Sequence, residues 1–296
     1  MTAPNTADAA EAFDATTSAQ FIHTVYAKQV QVARESNLVF ADVVDRRYEP
    51  DAKYGSSVTI HNVSNLATVV TKDSSLAHGS KVATTYVSVT DVDSTLTIGT
   101  WQYSAIAVDT YSNKQGDMDI YSKYAPKQGY DLALAIDDVV AGLVDDITNT
   151  VGTLLYPLTY AMLLRADQYL NDAEAPAEGR VIVISPAEKA NLLQLEQFVN
   201  ADYSKLHANA SVASKGANMG TWLGYGVYVS TNVEGTNSAG HDNAMLQKEC
   251  LALVIQMKPT PHHQFDIDAL ADKYVVEQIY GTAELREDHG VWLKSA

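Results

Sequence analysis

Between Asp117 and Ile147, Tyr121, Tyr124, Gln128, Leu132, Ile136, Val139/Val140, Leu143 and Ile147 recur at three- and four-residue steps, the pattern of one helical face. Beyond Pro126 such a helix runs about 20 residues, or ~30 Å. Pro126 itself lies inside the pattern and is expected to start, kink or interrupt the helix near its first turns. No other segment carries so strong a helical signal, and what flanks it reads differently.

Tyr48 to Asp109 is rich in Val, Thr, Ser and Tyr, with alternation at Val58/Ile60, Val87/Val89 and Leu96/Ile98. Its middle, Thr71 to Thr85, is polar and reads as a hairpin; a long two-stranded excursion is marginal alone in water and needs another surface. On the far side, Leu158 to Leu170 sets Ala161, Met162, Leu164, Ala166 and Leu170 near one helical face. Pro176 and Gly179 then punctuate a turn, Arg180 to Ile184 suits a short buried strand, and Pro186 opens a new helix carrying Glu188, Leu192, Leu193 and Leu195. Gly216, Gly220, Gly224 and Gly226 are scattered among aromatic and β-branched residues, which suits a turn-rich β segment. The last stretch, Ile255 to Lys294, reads as an apolar run, a Pro-His-His turn at 261–263, a helix around Ile267 to Tyr274 and a closing strand through Gly290 to Leu293. Residues 1–19 are small, polar and acidic and read as a loose arm. From Ala19, residues Ile22, Val25, Tyr26, Gln29, Val30 and Ala33 form one helical face expected to pack on something else, such as a neighbouring subunit.

Charge narrows the function. With Lys plus Arg at 20 and Asp plus Glu at 36, the formal net charge is −16, a surface that repels phosphate backbones. Sequence-reading nucleic-acid binders are therefore disfavoured, whereas a container for DNA gains from walls that do not grip it. A lone cysteine, Cys250, excludes an intrachain disulfide and sits in an apolar run, where it reads as a small buried hydrophobe. The N-terminus lacks the cationic start and apolar core of a signal peptide, and no run approaches ~20 apolar residues. The expected compartment is the cytoplasm in which the chain is made.

Catalytic signatures are missing. Glycines do not fall in a phosphate-cradling Gly-x-Gly-x-x-Gly after a strand. Ser185 stands between strand and helix like a nucleophile, but Ile184 and Pro186 replace the flanking glycines, and the proline removes the N–H an oxyanion needs. His262 and His263 are adjacent and flanked by Pro259 and Pro261; His241-Asp242 lies in a polar turn; no spaced metal-ligand cluster appears. Asp137-Asp138 and Asp145-Asp146 read as a solvated or subunit-facing stripe. No catalytic, cofactor-binding or metal-ligating residue is assigned, and no cofactor is expected. The 17 tyrosines suit wet interfaces between subunits.

The order of these elements carries a resemblance. The run LNDAEAPAEGRVIVISP at 170–186, then KGANMGTWLGYGVYVSTN at 215–232, then Tyr280-Gly281 and Glu287-Asp288-His289-Gly290-Val291, preceded by NLVFADVVDRRYE at 37–49 and GSSVTIHNV at 55–63, resembles the major capsid proteins of tailed double-stranded DNA phages, which have the Hong Kong 97 fold. The likeness covers roughly residues 20–294. It implies an α+β subunit with an N-terminal arm at 1–47, an extended loop at 48–108, a peripheral domain with the spine helix at 109–175, an axial domain at 176–245, and a return segment at 246–296. It implies self-assembly as pentamers and hexamers into an icosahedral shell around double-stranded DNA, with portal, scaffolding and decoration proteins as further partners and the virion as location. Some shells of this fold are cross-linked through a lysine of the extended loop; Lys53, Lys72 and Lys81 lie in that region, and no cross-link is assigned.

Three other readings compete. An encapsulin-type compartment of the same fold would enclose an enzyme. An acidic α/β hydrolase or metalloenzyme would use His241, Asp242 and His262. A tail or fibre protein is suggested by the Thr/Tyr/Val-rich segment at 56–108.

Overall fold

A computed structural model of the chain describes residues 38–62, 92–115, 120–195 and 218–295. The arm helix at 19–33, the loop centre at 71–85, Gly216, Lys72 and Lys81 lie outside these residues. In chain order the elements are α1 (Phe40–Val43), β1 (Ser57–Asn62), β2 (Val92–Thr97), β3 (Thr100–Asp109), α2 (Thr110–Gln115), α3 (Ile120–Gly142), β4 (Thr150–Gly152), α4 (Tyr160–Asp172), β5 (Arg180–Ile184), α5 (Pro186–Leu192), β6 (Asn218–Trp222), β7 (Tyr225–Val229), β8 (Gly235–Thr236), β9 (Gly240–Gln247), β10 (Leu251–Asp266), β11 (Ala271–Glu284) and β12 (Gly290–Ser295).

These strands make three sheets. A mixed seven-stranded sheet runs β4-β12-β9-β5-β7-β6, with β8 beside β9; an antiparallel sheet runs β10-β11-β3; β1 and β2 form a two-stranded ladder. The large sheet is buried on both faces, which is why β5 reads as an unbroken apolar run. Ile182 and Ile184 face a core with Leu163, Ala166, Leu170 and Leu192 from α4 and α5. Val183 joins the opposite core with Phe40, Ile136, Val140, Val144 and Tyr280. Successive residues of one strand thus feed two cores, as the two-residue pleat requires.

The long helix is present and continues through Pro126, so the expected start or interruption there does not occur. Its buried stripe is Gln128, Leu132, Ile136 and Val140, continued by Val144 and Ile147 past the helix end, while Tyr124 and Val139 are exposed. In α4 the buried stripe is Leu163, Ala166 and Leu170; Ala161 and Leu164 face outward, because the helix begins at Tyr160 under a Thr159 cap and lies on the sheet by that edge. The glycine-rich segment is β as expected: Trp222 pairs with Tyr225 across a two-residue turn in which Leu223 (φ 48°) and Gly224 (φ 93°) are both left-handed, the geometry that matches strand twist.

Two expectations for the C-terminal stretch fail. Pro259 to His263 is not a turn but part of β10, whose register against β11 shifts between Ile255 and Thr260, so Pro259 sits in the irregularity where a missing N–H costs no ladder bond. Nor is Ile267 to Tyr274 a helix. Asp266 accepts from the amides of Asp268 and Ala269 and from Lys273, closing a turn that returns the chain as β11. Pairing of β11 with both β10 and β3 outweighs the helical spacing of Ile267, Leu270 and Tyr274.

Candidate functional site

Several polar side chains of the described residues hold segments of the fold together, and others face outward. The buried guanidinium of Arg180, at the start of β5, donates through Nη1 to Asp167 Oδ1 (3.1 Å), Asn171 Oδ1 (2.9 Å) and Tyr225 OH (2.9 Å). Its Nη2 donates to Ala175 O (2.6 Å) and its Nε to Pro176 O (3.0 Å). Tyr225 in turn donates to Asp167. Burial, followed by its bond to Asp167, pushes the Tyr225 phenol up from its ordinary value. One side chain therefore fastens α4, the 173–179 loop, β5 and β7. A charged residue opening an apolar strand was the only sequence signal for this node.

Ser185, the residue placed like a nucleophile, is the N-cap of α5: its hydroxyl accepts from Glu188 N at 3.1 Å while Pro186 occupies the first helical position. Its own amide donates to Asn243 Oδ1 (2.6 Å), and Asn243 Nδ2 donates to Ser295 Oγ (2.6 Å), linking β5, β9 and β12. Glu188 is fully buried and accepts from Leu158 N (3.0 Å) and Asn191 Nδ2 (3.2 Å). Burial raises its carboxyl above the usual range, with those bonds and Ser295 pulling it back in part. Ser185→Ala is expected to cost about 1 kcal/mol, seen as a lower urea midpoint with unchanged slope.

The candidate metal or hydrolase residues stay apart. His241 Nε2 meets Asn237 Oδ1 (2.9 Å), Asp242 accepts from Trp292 Nε1 (2.9 Å), and the two alternate along β9. His262 lies in the other sheet, paired with Glu277 Oε1 at 2.9 Å, and His263 pairs with Asp272 at 3.0 Å while stacking on Tyr274. Among the described residues no group of three His, Cys, Asp or Glu side chains is placed to hold a metal ion. Cys250 is buried as expected, and burial pushes its thiol up to about 12. Asp145 and Asp146 are exposed as a solvated stripe should be, but Asp137 is fully buried and corrects that reading. No helix among the described residues is long and apolar enough to cross a membrane.

Large apolar side chains face outward on β3 and at the end of the β10–β11 hairpin, and also on α3 (Tyr124), in the loop after β4 (Leu155, Tyr156) and in the β6–β7 turn (Leu223). In β3 the even-numbered residues from Thr100 to Val108 face α3, anchored by Gln128 Nε2 on Ser104 O (3.2 Å), while Trp101 (70% exposed) and Tyr103 (69%) face away. Trp101 Nε1 donates to Glu277 Oε2 (2.8 Å), so Glu277 joins Trp101 and His262 diagonally across three strands. Tyr54, Tyr111, Phe265, Ile267 and Leu270 are also exposed. Among the described residues β3 ends its sheet, and large amphipathic side chains such as Trp101 and Tyr103 on an edge strand are what an interface uses. Lys53 is exposed on a short 3-10 turn at Asp51–Lys53.

Comparison with known proteins is consistent across sequence and structure. Residues 112–291 match the family model described as "Phage capsid protein". Among solved structures, one from Mycobacterium phage Che8 superposes with a TM-score of 0.75 at 23% identity, covering 92% of this chain and 97% of that one. The capsid structure of the cyanophage P-SCSP1u gives 0.71 at 18% identity over 95% and 94%, and one from Gordonia phage Cozz gives 0.69 at 11% identity over 100% and 98%. No curated protein sequence matches.

Proposed function

Because the chain belongs to the phage capsid protein family, we propose that it closes, as pentamers and hexamers, into an icosahedral shell around double-stranded DNA. It is a structural subunit of a capsid shell and not an enzyme; it works by assembling with copies of itself, and its place is the virion. The α+β fold is that of the Hong Kong 97-like capsid structures it superposes on.

The observation that carries the finer reading is the exposure of Trp101 and Tyr103 on β3 and of Phe265, Ile267 and Leu270 at the end of the β10–β11 hairpin. Shell building needs many modest contacts of defined geometry between identical copies, and tyrosine and tryptophan supply area at low entropic cost. In this reading residues 1–47 act as the arm, 48–108 as the extended loop, 109–175 as the peripheral domain, 176–245 as the axial domain and 246–296 as the return segment. The net charge of −16 keeps the walls from binding packaged DNA tightly. Portal, scaffolding and decoration proteins are the further partners, and assembly takes place in the host cytoplasm.

The full chain, expressed with and without a scaffold and examined by light scattering and electron microscopy, is expected to give hollow particles in the megadalton range. A monodisperse dimer that never assembles, even at high concentration with scaffold, would refute the shell geometry. Closed particles filled with a protein cargo would replace the genome by an enzyme as the enclosed material.

A further inference from the structure

Among the described residues other than glycine, left-handed backbone occurs at Leu155 (φ 71°), Glu174 (φ 55°), Leu223 (φ 48°) and Leu270 (φ 48°). Glu174 has a local reason: it is a polar, exposed residue just past the end of α4, where Ala175 N returns to Leu170 O and a left-handed residue closes the helix. The leucines do not. A Cβ crowds its own backbone in this conformation, and glycine, asparagine or aspartate is the usual occupant. Leu155, Leu223 and Leu270 are also 55%, 53% and 60% exposed, so each combines backbone strain with an apolar side chain in water.

Two of the three are firmly presented. Leu155 N donates to Ser295 O (3.3 Å), Leu154 packs over Gly240, where a Cβ would stand 2.8 Å from its Cδ2, and the buried Leu158 is tied through its amide to Glu188. Leu223 opens the two-residue turn between Trp222 and Tyr225, which are buried and pack edge to face, with Tyr225 held by Arg180. Charge sets the same two apart. Of the chain 19% is charged, yet no Asp, Glu, Lys or Arg occurs from 147 to 164 or from 216 to 233, whereas Leu270 lies among Asp266, Asp268 and Asp272. Copies of a chain with net charge −16 repel one another, so contacts between them favour places without acidic side chains; a cationic partner would favour the opposite.

The strand order places the two leucines apart. Strands β4, β12, β5 and β7 run in one direction, since β4 is parallel to β12, β12 and β5 are both antiparallel to β9, and β5 is parallel to β7. Leu155 follows the end of β4 and Leu223 precedes the start of β7, and β4 and β6 are the outer strands of the seven-stranded sheet among the described residues. Leu155 and Leu223 therefore stand at opposite edges and opposite ends of one sheet. An interface in which each copy offers two different surfaces to two neighbours accounts for both. We propose that Leu155 and Leu223 are contact residues of such a head-to-tail interface, each seated against a neighbouring copy of this chain. The proposal rests on the shell reading above and adds to it the two corners through which copies meet. Burial against the neighbour takes each leucine out of water, which a polar residue better suited to the backbone would not gain.

Leu155→Asn and Leu223→Asn in the full chain test this. Asparagine accepts left-handed backbone, and at 223 it completes an Asn-Gly turn of the favoured kind, so the urea midpoint of each unassembled variant is expected to equal or exceed that of wild type. Particle yield, under conditions in which wild type assembles, is expected to fall severalfold for each, because every copy in a shell carries the loss. Glu174→Asn, which eases the same strain without removing an apolar side chain, is expected to keep wild-type yield. Wild-type yield from either leucine variant, a yield loss matched by a lower urea midpoint, or an equal loss in Glu174→Asn overturns the two contacts and leaves the shell reading standing. A wild-type chain that forms no particles under any condition overturns both.

Discussion

Arg180→Ala is expected to destabilise the chain by roughly 3–5 kcal/mol, the range for removing one partner of a buried ion pair. The side chain is 3% exposed and Asp167 19%, so solvent does little to replace what is lost. Truncation leaves the Asp167 carboxylate without its cation, with only the neutral donors Tyr225 and Asn171, leaves the carbonyls of Ala175 and Pro176 without the arginine's N–H groups, and strips the guanidinium from the Tyr225 ring. Denaturant unfolding of the unassembled chain should show a lower midpoint with an unchanged slope. Arg180→Lys is not expected to rescue it, because a lysine has three donors on one nitrogen and cannot span Asp167, Asn171, Tyr225, Ala175 and Pro176 together. A loss below about 1 kcal/mol for the alanine variant would mean that water fills the vacated site at no cost, and that Arg180 is not the fastener argued above.

Gly281→Val is the second large effect. Gly281 lies in β11 opposite Val254, and a Cβ there would stand 2.4 Å from Thr97 O and 2.9 Å from Ile98 Cα. Both obstacles are backbone, which cannot swing aside as the end of a side chain does. The close approach seats the β1–β2 ladder over a small core of Ala52, Leu96, Ile98, Ala252 and Val254. Overpacking of this kind costs about 1–3 kcal/mol, and here it is concentrated on one joint. The expected result is a chain that still folds, with faster hydrogen exchange at 57–60 and 94–98 than wild type and unchanged exchange in β9. Particle yield should fall sharply, since the ladder carries residues 63–91. A valine variant with native protection at both strands and normal particle yield would show that the joint is not needed.

The helix, the buried β5 strand, the proline-started α5 and the β character of the glycine-punctuated segment were legible because each rests on local rules: a 3.6-residue stripe, a short apolar run between turns, a proline at a first helical turn, glycines among aromatic and β-branched residues. Ser185 shows the same legibility from the other side, since the proline that argued against a nucleophile is the proline that makes it a cap. The failures share one cause. Ile267 to Tyr274 has helical spacing, and only its placement between β10 and β3 makes it strand and turn. Pro259 to His263 looks like a turn, and only a register slip in a long hairpin accommodates it. Asp137 looks like its neighbour Asp138, and only the arrival of α1 and Asn232 buries it.

By itself the sequence determined the element types wherever a period or a turn is encoded within about ten residues, and their order carried the capsid family resemblance. Tertiary structure alone decided which carboxylates are buried, which aromatics stay outside, and that one arginine fastens four segments. Those outcomes depend on contacts between residues as far apart as 176 positions, as in Trp101 with Glu277, and no local pattern records which partner will arrive.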